Sequence, residues 1–175
     1  LCDQLESAQN REGKLIKRGI TRILTPGTVF EEGMLDAKKN NWLAAISIEH
    51  NPKENCFIWG LANADISTGE FLVREGKGLK NLEQELLKIE ASEVICEKLE
   101  EHISKDWCPN NIQITESDKT PFSLIEAESK LKKHFNLHNL HGLGIDECLM
   151  ALKAAGGLLA YLKETNPTNT SELGK

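Results

Sequence analysis

Trp42-Leu43-Ala44-Ala45-Ile46-Ser47-Ile48-Glu49 opens the part of the chain that decides its fold. The run is apolar and rich in β-formers, which reads as a strand. His50-Asn51-Pro52-Lys53-Glu54-Asn55 follows as a loop. Cys56–Ile66 is a second strand, and Ser67-Thr68-Gly69 leads into a third, Glu70–Arg74. Connections this short favour antiparallel neighbours.

Downstream the period changes. Leu79, Leu82, Leu86 and Ile89 lie three and four residues apart, the spacing of one helix face. Ser92–Cys96 and Ile112–Thr115 are short apolar runs that read as buried parallel strands. Glu97–Asn111 lies between them and has room for a short helix. Phe122–Phe135 is predicted helical, with Leu124, Ala127, Leu131 and Phe135 on one stripe. Gly142 and Gly144 then break the chain. The clearest helix is the last, with Cys148, Leu152, Ala155, Leu159 and Leu162 on its apolar face. It is expected to start near Asp146 as N-cap and to stop before Pro167. Gly156 and Gly157 each cost about 1 kcal/mol relative to Ala in a helix interior, so a closely packed neighbour is predicted there. Three strands, helix, strand, short helix, strand, helix is an α/β order. It suggests a ribonuclease H-like mixed sheet with flanking helices.

Upstream, Ile16–Thr25 alternates like a strand, Thr25-Pro26-Gly27-Thr28 is a turn, and Val29–Asn40 is linker-like. The whole chain has 175 residues, enough for one domain and a little more. At 39% hydrophobic content it can build a core without covalent staples. Its net charge of −6 argues against nucleic-acid binding by the chain as a whole, because such binders displace counterions with a basic surface. The 5 cysteines, Cys2, Cys56, Cys96, Cys108 and Cys148, show no CxxC spacing. They read as reduced thiols of a cytoplasmic protein, not as a disulfide frame or zinc site. No apolar run is long enough to span a bilayer. A start without Met and a Thr/Asn/Ser-rich end lead us to expect a piece of a larger protein.

Several stretches, in order, resemble the MutS family of DNA mismatch-repair ATPases. Leu1-Cys2-Asp3-Gln4-Leu5-Glu6 is similar to the end of the family's mismatch-binding domain. Ile20-Thr21-Arg22-Ile23-Leu24-Thr25-Pro26-Gly27-Thr28 resembles the link into its connector domain. Asn41-Trp42-Leu43-Ala44-Ala45-Ile46 and Ala62-Asn63-Ala64-Asp65-Ile66-Ser67-Thr68-Gly69-Glu70-Phe71 resemble the connector's opening strands. Ala154-Ala155-Gly156-Gly157-Leu158-Leu159-Ala160-Tyr161-Leu162 looks like the first helix of the lever domain. The middle, Gly76–Thr120, carries no signature.

The resemblance implies three segments. Residues 1–27 would be the tail of the mismatch-recognition domain and its link, 28–144 the ribonuclease H-like connector, and 145–175 the start of the lever with a lever-type helix, of which Leu149–Leu162 is expected to be partly exposed without its lever partners. It implies a parent that detects mispaired DNA as a homodimer, binds ATP with Mg²⁺, and recruits MutL. No GxxxxGK[ST] phosphate loop occurs here. Neither ATP hydrolysis nor mismatch reading is assigned to any residue of this chain, and no cofactor or metal is expected on it. What remains is a non-catalytic connector that links domains and offers MutL a docking surface.

The enzyme alternative is a metal-dependent ribonuclease H-like nuclease or resolvase, whose carboxylates gather at strand ends around two divalent ions. Asp65, Glu97 and Asp146 or Glu147 stand in a suggestive order. Each also has a structural use: a carboxylate before Ser-Thr-Gly accepts turn N–H groups, and Asp146 suits a helix cap. His134, His138 and His141 include an i, i+4 pair that could hold zinc, but they read better as surface residues beside a helix C-terminus. Cys56, Cys96 and Cys148 read as small core residues. Lys14, Lys17, Arg18 and Arg22 form the dense basic cluster, either contacting phosphates or blunting an edge strand. On Phe122–Phe135 the face opposite the apolar stripe shows Glu126, Ser129, Lys130 and Lys133. By the resemblance, this is the expected MutL-facing surface.

Overall fold

A computed structural model describes residues 2–4, 18–20, 42–99, 103–117, 122–141, 144–145, 147–166, 170 and 173–174. Two short strands, β1 (Cys2–Gln4) and β2 (Arg18–Ile20), pair antiparallel. The main body is a sheet of five strands with three helices.

The strands of this sheet are β3 (Leu43–Asn51), β4 (Cys56–Asp65), β5 (Glu70–Lys77), β6 (Glu93–Cys96) and β7 (Gln113–Glu116). Their order is β5-β4-β3-β6-β7. The first three pair antiparallel, as their short connections require. β6 and β7 run parallel to β3. Parallel pairing needs a crossover, and helix α1 (Leu79–Ile89) provides the one from β5 to β6. The described part of 97–111 forms turns, without the short helix expected there.

The β4–β5 turn is built by Asp65. Its carboxylate accepts the Ser67 N–H at 2.8 Å and the Ser67 hydroxyl at 2.5 Å. Gly69 closes the turn at φ 78°, donating to the Asp65 carbonyl at 2.9 Å. That backbone angle favours a residue without Cβ.

Alternation along β3 and β4 splits the core in two. One side carries Ala44, Ile46 and Ile48 of β3 with Trp59 and Leu61 of β4, and buries Leu82 and Leu86 of α1 together with Trp107 and Ile112. The other carries Leu43, Ala45, Ala62 and Ala64, and packs α2 (Leu124–Phe135) and α3 (Leu149–Thr165).

Helix α3 lies close to the sheet because the strand residues beneath it are small. A Cβ on Gly60 would fall 2.0 Å from the backbone carbon and oxygen of Met150. The predicted close neighbour of the paired glycines is α2. A Cβ on Gly156 would meet the Ala127 Cβ at 2.3 Å, and one on Gly157 the Phe122 ring at 2.4 Å. Burial is almost complete along α3, and Leu149 alone of its large apolar residues is strongly exposed, at 47%. This corrects an expectation that follows from reading it as an isolated lever helix, namely that an apolar face would stand free. The sheet and α2 cover that face instead.

The start of α3 also differs from expectation. It begins at Leu149, and its N-cap residue Cys148 makes no side-chain cap bond. Glu75 of β5 reaches across, accepting the N–H groups of Met150 at 2.8 Å and Ala151 at 3.2 Å. A carboxylate is well placed at a helix N-terminus, where unpaired N–H groups and the helix dipole both favour negative charge. Asp146, the expected cap, lies outside the described residues.

Candidate functional site

Among the described residues, the carboxylates of the nuclease alternative do not form a common site. By register Asp65 stands beside Trp42 at the start of β3, while Glu97 stands beside Ser47. Five strand residues separate those levels, roughly 16 Å at the usual rise. Asp65 serves its turn. Glu97 accepts the Ser47 hydroxyl at 3.3 Å and faces the Lys153 ammonium at 3.8 Å. Asp146 lies outside the described residues, and Glu147 is exposed.

Glu97 does sit where open α/β sheets bind ligands, at the carboxyl ends of parallel neighbours β3 and β6. A crevice of about 190 Å³ opens there, lined in part by Glu49, Glu97 and Lys153. Lys153 pairs with both carboxylates and so offsets part of their charge from within the fold.

Among the described residues no three His, Cys, Asp or Glu side chains converge in a way that could hold a metal ion. The His134 Nε2 lies 3.1 Å from the Leu173 carbonyl, and His138 and His141 are exposed. Cys96 is fully buried, and burial and then the Glu116 carboxylate push its thiol up to about 12. Burial alone raises Cys108 to about 11. Both thiols stay protonated at neutral pH and are poor nucleophiles. No helix among the described residues is long and apolar enough to cross a membrane.

Helix α2 is capped at both ends and ion-paired along its length. Ser123 caps it, accepting the Glu126 N–H at 3.4 Å, and Asn136 ends it in the left-handed region at φ 54°. Glu126–Lys130 at 3.7 Å and Glu128–Lys132 at 2.6 Å are i, i+4 pairs along it. Ala127 and Leu131 are buried against α3. Glu126, Ser129 and Lys133 are exposed and Lys130 half-buried, so these four are available on the outer side.

Two further residues of this surface lie beyond the sequence reading. Ile125 is 84% exposed, an apolar side chain one position off the buried stripe. Lys163 comes from α3. Burial and the neighbouring ammonium groups of Lys133 and Lys130 hold it below the ordinary lysine range. Ile125 was legible as an apolar residue out of phase with its helix. No local signal connects Lys163 to α2.

Of the basic N-terminal cluster, Arg18 lies in β2 with its side chain undescribed, and Lys14, Lys17 and Arg22 fall outside the described residues.

Comparison with known proteins closes the question of kinship. The chain is 68% identical over 167 residues to the DNA mismatch repair protein MutS of a Prochlorococcus marinus strain, and the match covers 95% of the chain and 18% of the relative. A second P. marinus strain has a protein of that name 52% identical over 168 residues, again spanning 95% of the chain and 18% of the relative. One from a Synechococcus strain is 46% identical over 173 residues, covering 99% of the chain and 18% of the relative. The chain thus spans about 18% of the length of these relatives. The profile of MutS domain II matches residues 41–174, from the first strand of the large sheet to past α3. With that match over the same residues that form the sheet and its helices, the chain belongs to the MutS domain II family.

Proposed function

We propose that this chain is the connector of a DNA mismatch-repair ATPase, a non-catalytic part that links the mismatch-reading end to the lever and ATPase domains and docks MutL. The observation that carries this reading is the family match over residues 41–174, coextensive with the five-stranded sheet and its helices. Strand order supports a ribonuclease H-like fold, three antiparallel strands extended at one edge by two parallel ones. Fold alone does not carry nuclease activity. The separation of Asp65 from Glu97 and the pairing of Glu97 with Lys153 favour the scaffold over the nuclease.

The parent protein would supply the phosphate loop, ATP with Mg²⁺, mismatched DNA as ligand and a homodimeric frame, working in the cytoplasm. Lys14, Lys17, Arg18 and Arg22 are proposed phosphate contacts of that larger assembly. Glu126, Ser129, Lys130 and Lys133 are the proposed MutL contacts. We also infer that the connector extends through α3, past the 144/145 boundary expected from sequence. The burial of α3 on β3 and β4 and the match through residue 174 support this.

Isothermal titration of the chain with MutL tests the docking role, with a Mn²⁺-dependent cleavage assay on branched and duplex DNA beside it. Saturable MutL binding without cleavage is expected. Cleavage abolished by Asp65→Asn would restore the nuclease reading.

A further inference from the structure

We propose that Lys130, Lys133 and Lys163, contributed by two helices, form a basic pocket that receives an acidic segment of the docked protein. This rests on the reading of α2 as the docking face, and adds the chemistry by which that face selects its partner.

The pocket is a product of helix packing. Gly156 touches Ala127, and that approach sets the two helix axes close together. Lys163 lies seven residues beyond Gly156, two turns along the same side of α3. Lys130 lies one turn beyond Ala127 on α2, and Lys133 three residues further. Burial first, and then the ammonium groups of Lys133 and Lys130, disfavour the charge on Lys163, as their placement at the same end of the packed helices leads one to expect. Like charges held together by a fold are destabilising, and an incoming carboxylate relieves them.

Among the described residues nothing relieves them fully. Lys133 and Lys163 have no acidic partner among the described residues, whereas Lys132 on the same helix is paired with Glu128. Lys130 has Glu126 at 3.7 Å, but both are solvent-exposed enough for the pair to contribute little. Exposed Ile125 lies on the same helix, in line with Ser129 and Lys133 at successive i, i+4 steps. An apolar anchor beside a charged site is the usual anatomy of a protein-binding patch.

An acidic protein segment fits better than DNA. Three lysines make a spot, not the stripe that tracks a backbone, and a duplex would feel the chain's whole net charge of −6. A short carboxylate segment responds mainly to charges within about one Debye length, ~8–10 Å at physiological salt.

The test titrates MutL into the chain and into Lys163→Glu, Lys163→Gln and Ile125→Ala, at low and high salt, with circular dichroism melts to verify folding. Lys163→Glu is expected to weaken binding about tenfold or more at low salt and to flatten its salt dependence. Lys163→Gln should fall between it and the wild type, and Ile125→Ala should weaken binding with the salt dependence kept. A parallel arm follows backbone amide resonances on adding a polyglutamate peptide or a short duplex. Shifts at residues 130, 133 and 163 with the peptide and not the duplex are expected. MutL affinity unchanged by Lys163→Glu overturns the pocket and leaves α2 docking standing. If MutL does not bind the wild-type chain, the docking reading fails, and the peptide arm alone decides the pocket. No shift with polyglutamate, or the same shifts with duplex DNA, overturns it.

Discussion

On β4 the even-numbered residues Gly60, Ala62 and Ala64 turn toward α3, and the odd-numbered Trp59 and Leu61 turn toward α1. Small residues let a helix backbone come down onto the sheet, so the α2–α3 side is filled by closeness of main chains. The α1 side is filled by volume. One helix of 11 residues covers it, and two tryptophans, Trp59 and Trp107, occupy the space it leaves. Even so, a cleft of about 660 Å³ remains between α1 and the 105–114 stretch. The two sides should therefore fail in opposite ways, one by cavities and the other by crowding.

Trp59→Ala is the sharpest way to break the α1 side. It removes a ring that is 2% exposed, stacks over Gly76 and donates to the Gly78 carbonyl at 3.0 Å. A loss of roughly 3–5 kcal/mol is expected from urea denaturation. A loss below about 1 kcal/mol would mean that aromatic volume does not hold this side.

Gly60→Ala attacks the other side by adding one methyl group. The clash is with Met150 backbone, which cannot rotate away. About 3 kcal/mol is expected, the top of the usual overpacking range. Gly157→Ala should cost less, since the Phe122 ring it meets can shift. The reverse ranking in chemical melts would show that α3 rides on the sheet more loosely than its backbone contacts imply.

Glu93 belongs to the seam between the sheet and α3. It is 1% exposed, and one carboxylate oxygen accepts the Thr115 hydroxyl at 2.8 Å and the Tyr161 hydroxyl at 3.1 Å. Glu93→Ala removes that shared acceptor and is expected to cost about 1–3 kcal/mol, with Glu93→Gln costing less. Equal losses in the two variants would assign the effect to charge and not to hydrogen bonding.

The last effect appears only at alkaline pH and is absent near neutrality. The Cys96 thiol is raised from an ordinary 9.0 to about 12, so the folded state holds its proton more tightly than the unfolded chain does. Its contribution is complete below about 9 and is lost as pH rises toward 12. Denaturation midpoints of the wild type should fall through that window more steeply than those of Cys96→Ala. Iodoacetamide should label half-buried Cys56 well ahead of Cys96.

Much of this was legible in the letters. Period-two and period-3.6 patterning located β3 to β7 and all three helices within a few residues, since each long element must bury one face. The Asp65 turn was readable because its partners are two residues away. The glycine pair in α3 announced a close neighbour through its local cost. What escaped were contacts between segments far apart in the chain. Glu75 caps α3 from β5, Lys153 joins Glu49 and Glu97, and the charge on Lys163 is disfavoured by burial and by Lys133 and Lys130. The expected exposure of α3 failed for the same reason, because its covering surface belongs to strands about a hundred residues earlier.

By itself, then, the sequence determined which elements form, which faces are apolar, and the family to which they belong. Periodicity, turn chemistry and motif order are local properties, fixed by backbone sterics and side-chain type. Only the tertiary structure decided which face each element meets and which charges become neighbours. Those depend on the approach of α2 and α3 over small residues, a distance that no single segment encodes. The proposed pocket is the clearest instance: its lysines are ordinary in their own helices and would become a site only through the contact of Gly156 with Ala127.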